Sequence, residues 1–257
     1  MLFDIIKSVL LGIIEGVTEF LPISSTGHLI LLNQWIYFDK QFTEFFDIFI
    51  QLGAIFAVIF YFRKKLWPIN TGVWLKVLVA VIPALIIGAV FGDYIRETLF
   101  NFWTVALSLI VGGIVILVVE KNNYIVKYDS IDSISYKKVF IIGLIQCLAM
   151  IPGTSRSAST IIGALLLGAS RSLAVEFSFF LAIPTMIAAS GYGLIKHGLI
   201  IRGSEIILLT LGFLTSFVVA LMVIKFLIKY IKLHNFTLFA YYRIILGVFV
   251  LIYFYYL

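Results

Sequence analysis

Hydrophobic residues occupy this chain in long stretches that short polar segments interrupt. A stretch of about 20 apolar residues is long enough to cross a bilayer as a helix. The pattern predicts six spanning helices, at 48–62, 73–92, 102–119, 177–195, 205–227 and 243–257. The first and last stretches are short, so the pattern defines their ends least well. The chain is therefore expected to be an all-α integral membrane protein.

Two further apolar regions, 2–32 and 139–170, are each divided near the middle by Pro, Ser, Thr and Gly, and each carries ionisable residues. Non-helical backbone persists at membrane depth only where protein or a water-filled cavity shields it. We therefore expect each region to form a re-entrant helix–loop–helix hairpin that enters the membrane and returns to the same side. The alternative for each region is a pair of ordinary spanning helices with kinks.

The two divided regions resemble each other in sequence. Gly12 to His28 reads GIIEGVTEFLPISSTGH, and Gly143 to Thr160 reads GLIQCLAMIPGTSRSAST. Alignment on the prolines pairs Pro22 with Pro152, and the similarity continues into the span that follows each region. Polar, broken segments at corresponding places in two hydrophobic halves are the best sequence indication of a membrane protein's functional site.

The repeat also predicts topology. The chain is expected to be one membrane domain, 1–257, with a first repeat at about 1–120 and a second at about 139–257. Each repeat holds three true spans, and because three is odd, the second repeat is inverted relative to the first. The two hairpins then enter from opposite faces, and their polar tips meet near the midplane.

Basic residues sort unequally between the two faces, 13 against 5, with Arg156 left out. The more basic face should be cytoplasmic, which places both termini and the entrance of the first hairpin outside. The basic face is predicted to carry Arg63, Lys64, Lys65, Lys76, Lys121, Lys127, Lys137, Lys138, Arg171, Lys225, Lys229, Lys232 and Arg243. The outer face is predicted to carry Lys7, Lys40, Arg96, Lys196 and Arg202.

Composition supports the membrane assignment and excludes other classes. Hydrophobic residues make up 62% of the chain, mean hydropathy is +1.13, and charged residues make up 12%, about half the charged share of a soluble domain. The net charge of +6 does not indicate nucleic-acid binding, because the basic residues lie between apolar spans, as topology alone requires. The single cysteine, Cys147, excludes an intramolecular disulfide and a cysteine cluster for metal.

Glu15 and Glu19 are the first candidates for chemistry. They are four residues apart, so on a helix they share one face. Each carboxylate costs about 2.5–3.5 kcal/mol inside a membrane, so such residues usually face a cavity and serve function. The alternative is a helix end at the interface. Because close carboxylates repel, either a shared cation or a raised pKa of one carboxyl group is expected, and oxygen ligands suit Mg²⁺ or Ca²⁺.

His28 follows Ser24, Ser25, Thr26 and a glycine in the first polar break. A lone histidine is often structural. A histidine beside hydroxyls and two carboxylates in a buried segment favours a chemical role, as a general acid or base or as a nucleophile.

The second break, PGTSRSAST, has the composition of a phosphate-binding loop. Arg156 offers planar, bidentate contact to phosphate, and Gly153 lets backbone approach a ligand closely. A helix that begins after the loop would direct free N–H groups at an anion. The hydroxyl residues around the arginine are Thr154, Ser155, Ser157, Ser159 and Thr160. A hydroxyl-rich helix N-cap is the alternative, but it does not explain an arginine at membrane depth.

Two further groups have structural predictions. Asp47 and Glu176 lie at matching places near the start of a span, and we expect them to hold the hairpin tips by accepting hydrogen bonds. Tyr241, Tyr242 and Arg243 open the last span, where interfacial anchoring is the default expectation.

The motifs EGVTEFLPISSTGH and PGTSRSAST resemble those of the undecaprenyl pyrophosphate phosphatase family of the bacitracin-resistance type, and the resemblance covers nearly the whole chain. It implies an enzyme of the bacterial cytoplasmic membrane that hydrolyses undecaprenyl pyrophosphate to undecaprenyl phosphate and phosphate. It also implies a divalent cation, an active site open to the outer face, recycling of the carrier lipid for cell-wall synthesis, and bacitracin resistance.

The expected roles follow from the resemblance together with the chemistry of the residues in the two breaks. The expected catalytic residues are Glu15, Glu19, Ser25, His28 and Arg156, with Glu15 and Glu19 as metal ligands. The expected substrate-binding residues are Ser24, Thr26, Gly153, Thr154, Ser155, Ser157 and Thr160. The nucleophile stays open at this point: Ser25 with His28 as base, His28 itself oriented by Glu19, or an activated water.

A transporter is the alternative from another class. Secondary transporters also use inverted repeats with broken helices, and Glu15, Glu19 and His28 would then form a proton relay for a carrier or flippase of an anionic lipid. The expected partners are the lipid substrate and the bilayer and not nucleic acid. The sequence leaves open whether the protein forms a homodimer.

Overall fold

The computed structural model describes residues 1–122, 125–197 and 203–256; within these ranges the side chains of Lys40, Lys196, His197 and Ser204 are not described. The described residues form ten α-helices and two short 3₁₀ turns, Ile131–Ser133 and Cys147–Met150. The helices are α1 Leu2–Thr18, α2 Ser25–Leu32, α3 Lys40–Leu66, α4 Thr71–Leu99, α5 Phe102–Lys121, α6 Tyr136–Gln146, α7 Arg156–Leu166, α8 Arg171–His197, α9 Gly203–Tyr230 and α10 Thr237–Tyr255.

Six helices among the described residues are long and apolar enough to cross a membrane: α3, α4, α5, α8, α9 and α10. They confirm the six predicted spans, and most extend several residues past the predicted ends. Side-chain caps fix where α3, α4 and α5 begin. Asp39, for example, accepts a hydrogen bond from the N–H of Phe42 at the start of α3. The chain is an all-α, multi-pass membrane protein. The last residue of the sixth predicted span, Leu257, lies outside the described residues.

The first divided region forms α1 and α2 joined by a bent loop. With eight residues, α2 is about 12 Å long, less than half of the roughly 30 Å hydrocarbon core, so it cannot be a kinked spanning helix. The Nζ of Lys7, near the start of α1, donates to the carbonyl of Tyr37, just after α2, at 2.8 Å. The hairpin therefore begins and ends at the same end of the bundle, as the re-entrant interpretation predicts.

The second divided region, α6 and α7, has the same construction. The Nζ of Lys138, near the start of α6, donates to the carbonyl of Leu167 after α7 at 3.2 Å. Lys7 and Lys138 each stand 17 residues before the serine that caps the second helix of their hairpin, Ser24 and Ser155. Equivalent lysines thus close the two hairpin entrances.

Helix packing confirms the inverted repeat. The helix α1 packs on α9 as its counterpart α6 packs on α4. Gly12 lies against the carbonyl of Gly212, and Gly143, its equivalent, lies against the carbonyl of Ala80. In both places a Cβ would collide with backbone, so glycine is what allows the helices to approach so closely.

The helices α5 and α10 are equivalent in the two repeats, and they pack on each other through matching contacts. Gly113 of α5 lies against the carbonyl of Ala240 in α10, and Gly247 of α10 lies against the carbonyl of Ala106 in α5. Gly113 corresponds to Gly247 and Ala106 corresponds to Ala240, so the same contact occurs twice with the roles of the two helices exchanged. The division of the domain at about residues 120 and 139 stays a prediction.

Polar contacts at the helix ends fall into two sets. Asn33 and Asp47 are bonded at one end of the bundle, as are Arg96 and Glu44. At the other end Lys65 pairs with Glu176, and Arg171 pairs with Glu120. Arg202, counted on the outer face, lies outside the described residues, as do the side chains of Lys40 and Lys196.

Two sequence predictions are wrong at this level. Asp47 accepts from Asn33 after the end of α2, and Glu176 accepts from Lys65 at the end of α3, so neither holds a hairpin tip. Arg243 was counted with the basic face, but it is fully buried. The pattern placed it at the start of the last span, whereas α10 begins at Thr237, so Arg243 lies well inside the helix.

Candidate active site

The two polar breaks share one backbone conformation. Ser24 caps α2 with φ 74°, and its side chain accepts from the N–H of Gly27 at 3.2 Å. Ser155 caps α7 with φ 75°, and its side chain accepts from the N–H of Ala158 at 3.2 Å. Such conformations are unfavourable for a residue with a Cβ and cluster at functional sites.

These serines set the true register of the repeat. Ser24 corresponds to Ser155, which shifts the alignment by one residue from the pairing of Pro22 with Pro152. The proline pairing is therefore wrong. The reason is that the N-cap turn, and not the proline, is the element that both tips preserve.

The two tips touch, as predicted. A Cβ built on Gly27 would lie 3.4 Å from the Cα of Gly153. The hydroxyl of Ser157 donates to the carbonyl of Leu21 in the opposite tip at 2.8 Å. The N-termini of α2 and α7, which enter from opposite ends, therefore meet inside the bundle.

Glu19 lies at the centre of this meeting point. The hydroxyl of Ser25 donates to Oε2 of Glu19 in a short hydrogen bond. Nη2 of Arg156 donates to Oε1 of Glu19 at 3.0 Å, and only 11% of the arginine side chain and 7% of the glutamate side chain are exposed. Nη1 of Arg156 donates to the carbonyl of Ser178 at 3.0 Å. The buried Nε of Arg156 has no hydrogen-bond partner among the described residues and remains available as a donor.

Glu15 is fully buried one helical turn before Glu19, and neither of its carboxylate oxygens has a hydrogen-bond partner among the described residues. A buried charged group without a partner is costly. Among the described residues no group of three or more His, Cys, Asp or Glu side chains is placed to hold a metal ion. Two unpaired oxygens beside a second carboxylate nevertheless suit a hard divalent cation, which takes oxygen ligands. The oxygens of Glu15 are therefore available to the predicted cation, whereas both oxygens of Glu19 already accept hydrogen bonds, from Ser25 and Arg156.

His28 has two hydrogen bonds. Nδ1 contacts the carbonyl of Ser24 at 2.7 Å, and because a carbonyl only accepts, Nδ1 carries the proton. In the neutral ring Nε2 is then an acceptor, and the hydroxyl of Tyr242 donates to it at 2.6 Å. His28 is therefore oriented by Ser24 and Tyr242 and not by Glu19. Of the three alternatives for the nucleophile, Ser25 with His28 as base is not supported, because the Ser25 hydroxyl donates to Glu19.

Most hydroxyls of the second break bond to protein. Ser159 donates to the carbonyl of Ser155, and Thr160 donates to the hydroxyl of Ser178. Ser157 holds the first tip as described above. These groups stabilise the loop, and their predicted contact with substrate stays a prediction.

Thr26 and Thr154 differ from these hydroxyls. Both are half-buried, and their hydroxyls have no hydrogen bond to other described residues. Gly153, with φ 90°, packs tightly on the carbonyl of Val105 in α5, so its small size serves helix packing. The two threonines are the predicted substrate-binding hydroxyls that remain available.

Three site residues, Ser178, Tyr242 and Arg243, were not predicted from the sequence. Tyr242 was expected at the interface with Tyr241, but it bonds His28. Arg243 bonds carbonyls in both tips, those of Pro22 and Gly153. An arginine inside an apolar span would have indicated a functional residue, but the span was predicted to begin at Arg243 and not at Thr237.

Comparison with known families identifies this architecture. The family described as bacitracin resistance protein BacA matches residues 8–249. The chain belongs to this family. The resemblance inferred from the two motifs is thereby confirmed.

Three relatives within the family are similar over nearly their whole length. The undecaprenyl-diphosphatase 1 of Clostridioides difficile (strain 630) is 49% identical, over 99% of this chain and 97% of the relative. The undecaprenyl-diphosphatase of Acetivibrio thermocellus is 45% identical, over 98% of each chain. That of Pseudomonas savastanoi pv. phaseolicola is 44% identical, over 95% of this chain and 92% of the relative.

Proposed function

We propose that the protein is a membrane phosphatase that hydrolyses undecaprenyl diphosphate to undecaprenyl phosphate and inorganic phosphate. Family membership and the names of the relatives support this function. The structural observation that carries it is the array of Ser25, Glu19 and Arg156 where the two tips meet. A hydroxyl, a proton acceptor and a phosphate-binding cation are the groups that phosphoryl transfer requires.

The surroundings of this array suit an anion. The helices α2 and α7 both begin at the tips, and helix N-termini carry partial positive charge and free N–H groups. Arg156 adds a full charge, and its Nε is unpartnered. The half-buried hydroxyls of Thr26 and Thr154 supply further donors. A diphosphate head group can therefore be held at the tips while its apolar tail remains in the lipid.

The hydrogen bonds favour Ser25 as the nucleophile. In the proposed step, Oγ of Ser25 attacks the terminal phosphorus and passes its proton to Glu19. The bond between that phosphorus and the bridging oxygen breaks, and undecaprenyl phosphate leaves with the electron pair. Water then hydrolyses the phosphoserine and releases phosphate. His28 is less suited to the first attack, because its Nε2 already accepts from Tyr242.

Glu15 and Glu19 would hold the divalent cation, Mg²⁺ or Ca²⁺. When bound, such an ion neutralises charge on the diphosphate and on the leaving group. The two unpartnered oxygens of Glu15 support this part of the proposal.

The proposed setting is the bacterial cytoplasmic membrane. The charge distribution supports a site that is reached from the outer face, because the first hairpin enters from the less basic side. There the enzyme would return the carrier lipid to cell-wall synthesis and reduce sensitivity to bacitracin.

The test is phosphate release from a long-chain isoprenyl diphosphate by purified protein in detergent, with and without EDTA. Ser25→Ala should lower kcat by about 10³-fold or more, because the attacking oxygen is lost. Ser8→Ala is the matched control: its buried hydroxyl donates to the carbonyl of Leu208 at 2.6 Å, away from the tips, so activity should stay within about threefold.

Two outcomes would contradict the proposal. Wild-type kcat in the Ser25→Ala variant would exclude Ser25 as the nucleophile. An absence of phosphate release from folded wild-type protein would exclude the phosphatase and favour the transport alternative, for which flux into proteoliposomes is the next measurement.

A further inference from the structure

Arg243 is a buried cation whose hydrogen bonds go only to backbone. Its side chain is fully buried in α10. It makes four hydrogen bonds, to the carbonyls of Pro22, Ser108, Leu109 and Gly153. Among the described residues no carboxylate pairs with it. Burial of a cation without a counter-ion costs several kcal/mol, so the contacts that it makes call for an explanation.

Two of the four carbonyls are equivalent in the repeat. Nη1 donates to Pro22 at 3.1 Å, and Nη2 donates to Gly153 at 2.9 Å. Pro22 and Gly153 each stand two residues before the capping serine of their tip, Ser24 and Ser155. One guanidinium therefore bridges the same atom in both hairpins.

The other two contacts attach this bridge to the spanning helices. Nη2 also donates to the carbonyl of Ser108 at 3.0 Å, and Nε donates to that of Leu109 at 3.4 Å, both in α5. The glycine contacts between α5 and α10 make Leu109 the repeat equivalent of Arg243, so only one half supplies a cation. Gly112 leaves the space that the guanidinium fills, because a Cβ there would collide with it.

We propose that Arg243 is a positioning residue that holds the two hairpin tips in register. Ser25 and Glu19 lie on one tip and Arg156 lies on the other, so attack on a phosphate requires both tips at a fixed separation. A lysine cannot replace this bridge, because its ammonium lacks the planar fork that reaches two carbonyls at once. A shift of about 1 Å between reacting groups costs about 10²-fold in rate.

The kinetic test uses Arg243→Lys and rests on the proposed phosphatase function. We expect kcat to fall about 10²-fold while KM changes less than about threefold, since the groups are displaced and not removed. Arg171→Lys is the matched control. Arg171 pairs with Glu120 at the opposite end of α7's hairpin, so this variant should stay within about twofold of wild type.

A second variant keeps the proposal testable if Arg243→Lys fails to fold. Gly112→Ala retains the arginine but displaces its guanidinium, and it should lower kcat about tenfold in the same direction. Wild-type kcat in a folded Arg243→Lys or Gly112→Ala protein would overturn the proposal. A loss confined to KM would also overturn it, because Arg243 would then act on substrate binding.

Amide hydrogen exchange provides a readout without activity. In Arg243→Lys, peptides that cover residues 20–27 and 150–158 should both exchange faster, while those from the entrance contacts near Lys7 and Lys138 should not change. Unchanged exchange at both tips would overturn the register role. If wild type itself released no phosphate, the function proposal would fail, but the exchange result would still decide the role of Arg243.

Discussion

The two hairpin tips share a backbone and differ in chemistry. Both use a serine N-cap with positive φ, at 74° and 75°, and both present the first turn of a helix to the other. When the two tips are aligned on these serines, two glutamates, a serine and a histidine of the first tip correspond to three neutral residues and an arginine in the second. The matched pairs are Glu15 and Gln146, Glu19 and Met150, Ser25 and Arg156, and His28 and Ser159.

This difference separates the role of the fold from the role of the side chains. The duplicated backbone brings two helix N-termini to one point, and the free N–H groups of a helix N-terminus favour an anion. In the proposed mechanism the residues that differ between the tips have separate roles: Ser25 and Glu19 act in the attack, and Arg156 stabilises charge from the other tip. Glu19 of the first repeat and Arg156 of the second form an ion pair at 3.0 Å, so the site contains a carboxylate from one repeat and its counter-ion from the other.

The largest expected effect follows from removal of the second tip's charge. Arg156→Ala should lower kcat/KM by about 10³-fold or more, because the phosphate loses the cation beside it and Glu19 loses its ion-pair partner. Phosphate release from purified protein measures the effect. Arg171→Ala is the control, since Arg171 is likewise the first residue of a helix but pairs at the basic end. Wild-type activity in Arg156→Ala would contradict the division of roles between the tips.

An intermediate effect is expected when the first tip is made like the second. Glu15→Gln introduces the residue that the second repeat carries at the matching position, Gln146. The change removes a buried carboxylate whose oxygens have no protein partner, so divalent-cation dependence should weaken and kcat should fall about 10- to 100-fold.

Titration with Mg²⁺ and Ca²⁺ after EDTA treatment measures the change in Glu15→Gln. Glu44→Gln is the control, because Glu44 pairs with Arg96 at a helix end, and its cation titration should match wild type. An unchanged titration curve at a reduced rate would mean that Glu15 acts on protons and not on a metal.

The six spans and the two broken hairpins were predictable from the sequence. Hydrophobic length located the six spans, and the polar breaks located the tips, because both follow from the cost of polar groups in a bilayer. The ion pair of Glu19 with Arg156 was not predictable, although both residues were assigned to the site, since pairing between distant residues depends on three-dimensional packing.

The errors have physical causes as well. The register was displaced by one residue because proline is conspicuous in sequence, whereas the positive φ of Ser24 and Ser155 is not visible there. Arg243 was placed at an interface because the last span was predicted to begin at residue 243, whereas α10 begins at Thr237. Its buried position depends on Gly112 of α5, which leaves room for the guanidinium. The sequence does not show that α5 and α10 are in contact.

The smallest expected effect on catalysis concerns the glycines that set the two hairpins against their neighbours. Gly12→Ala places a Cβ 2.7 Å from the carbonyl of Gly212, and Gly143→Ala places one still closer to the carbonyl of Ala80. Each should destabilise the protein by about 1–3 kcal/mol, with the larger cost at Gly143, because backbone must move in both cases. Activity per folded molecule should change little.

Thermal unfolding in detergent measures this last pair, with Gly92→Ala in α4 as the control. A Cβ at Gly92 would meet nothing within 4 Å, so this change should be neutral or stabilise by up to about 1 kcal/mol through helix propensity. Equal unfolding temperatures for all three variants would mean that the close glycine contacts do not fix the hairpins. The matched backbone of the tips would then depend on the tip contacts alone, chiefly the hydrogen bonds of Arg243 to the carbonyls of Pro22 and Gly153.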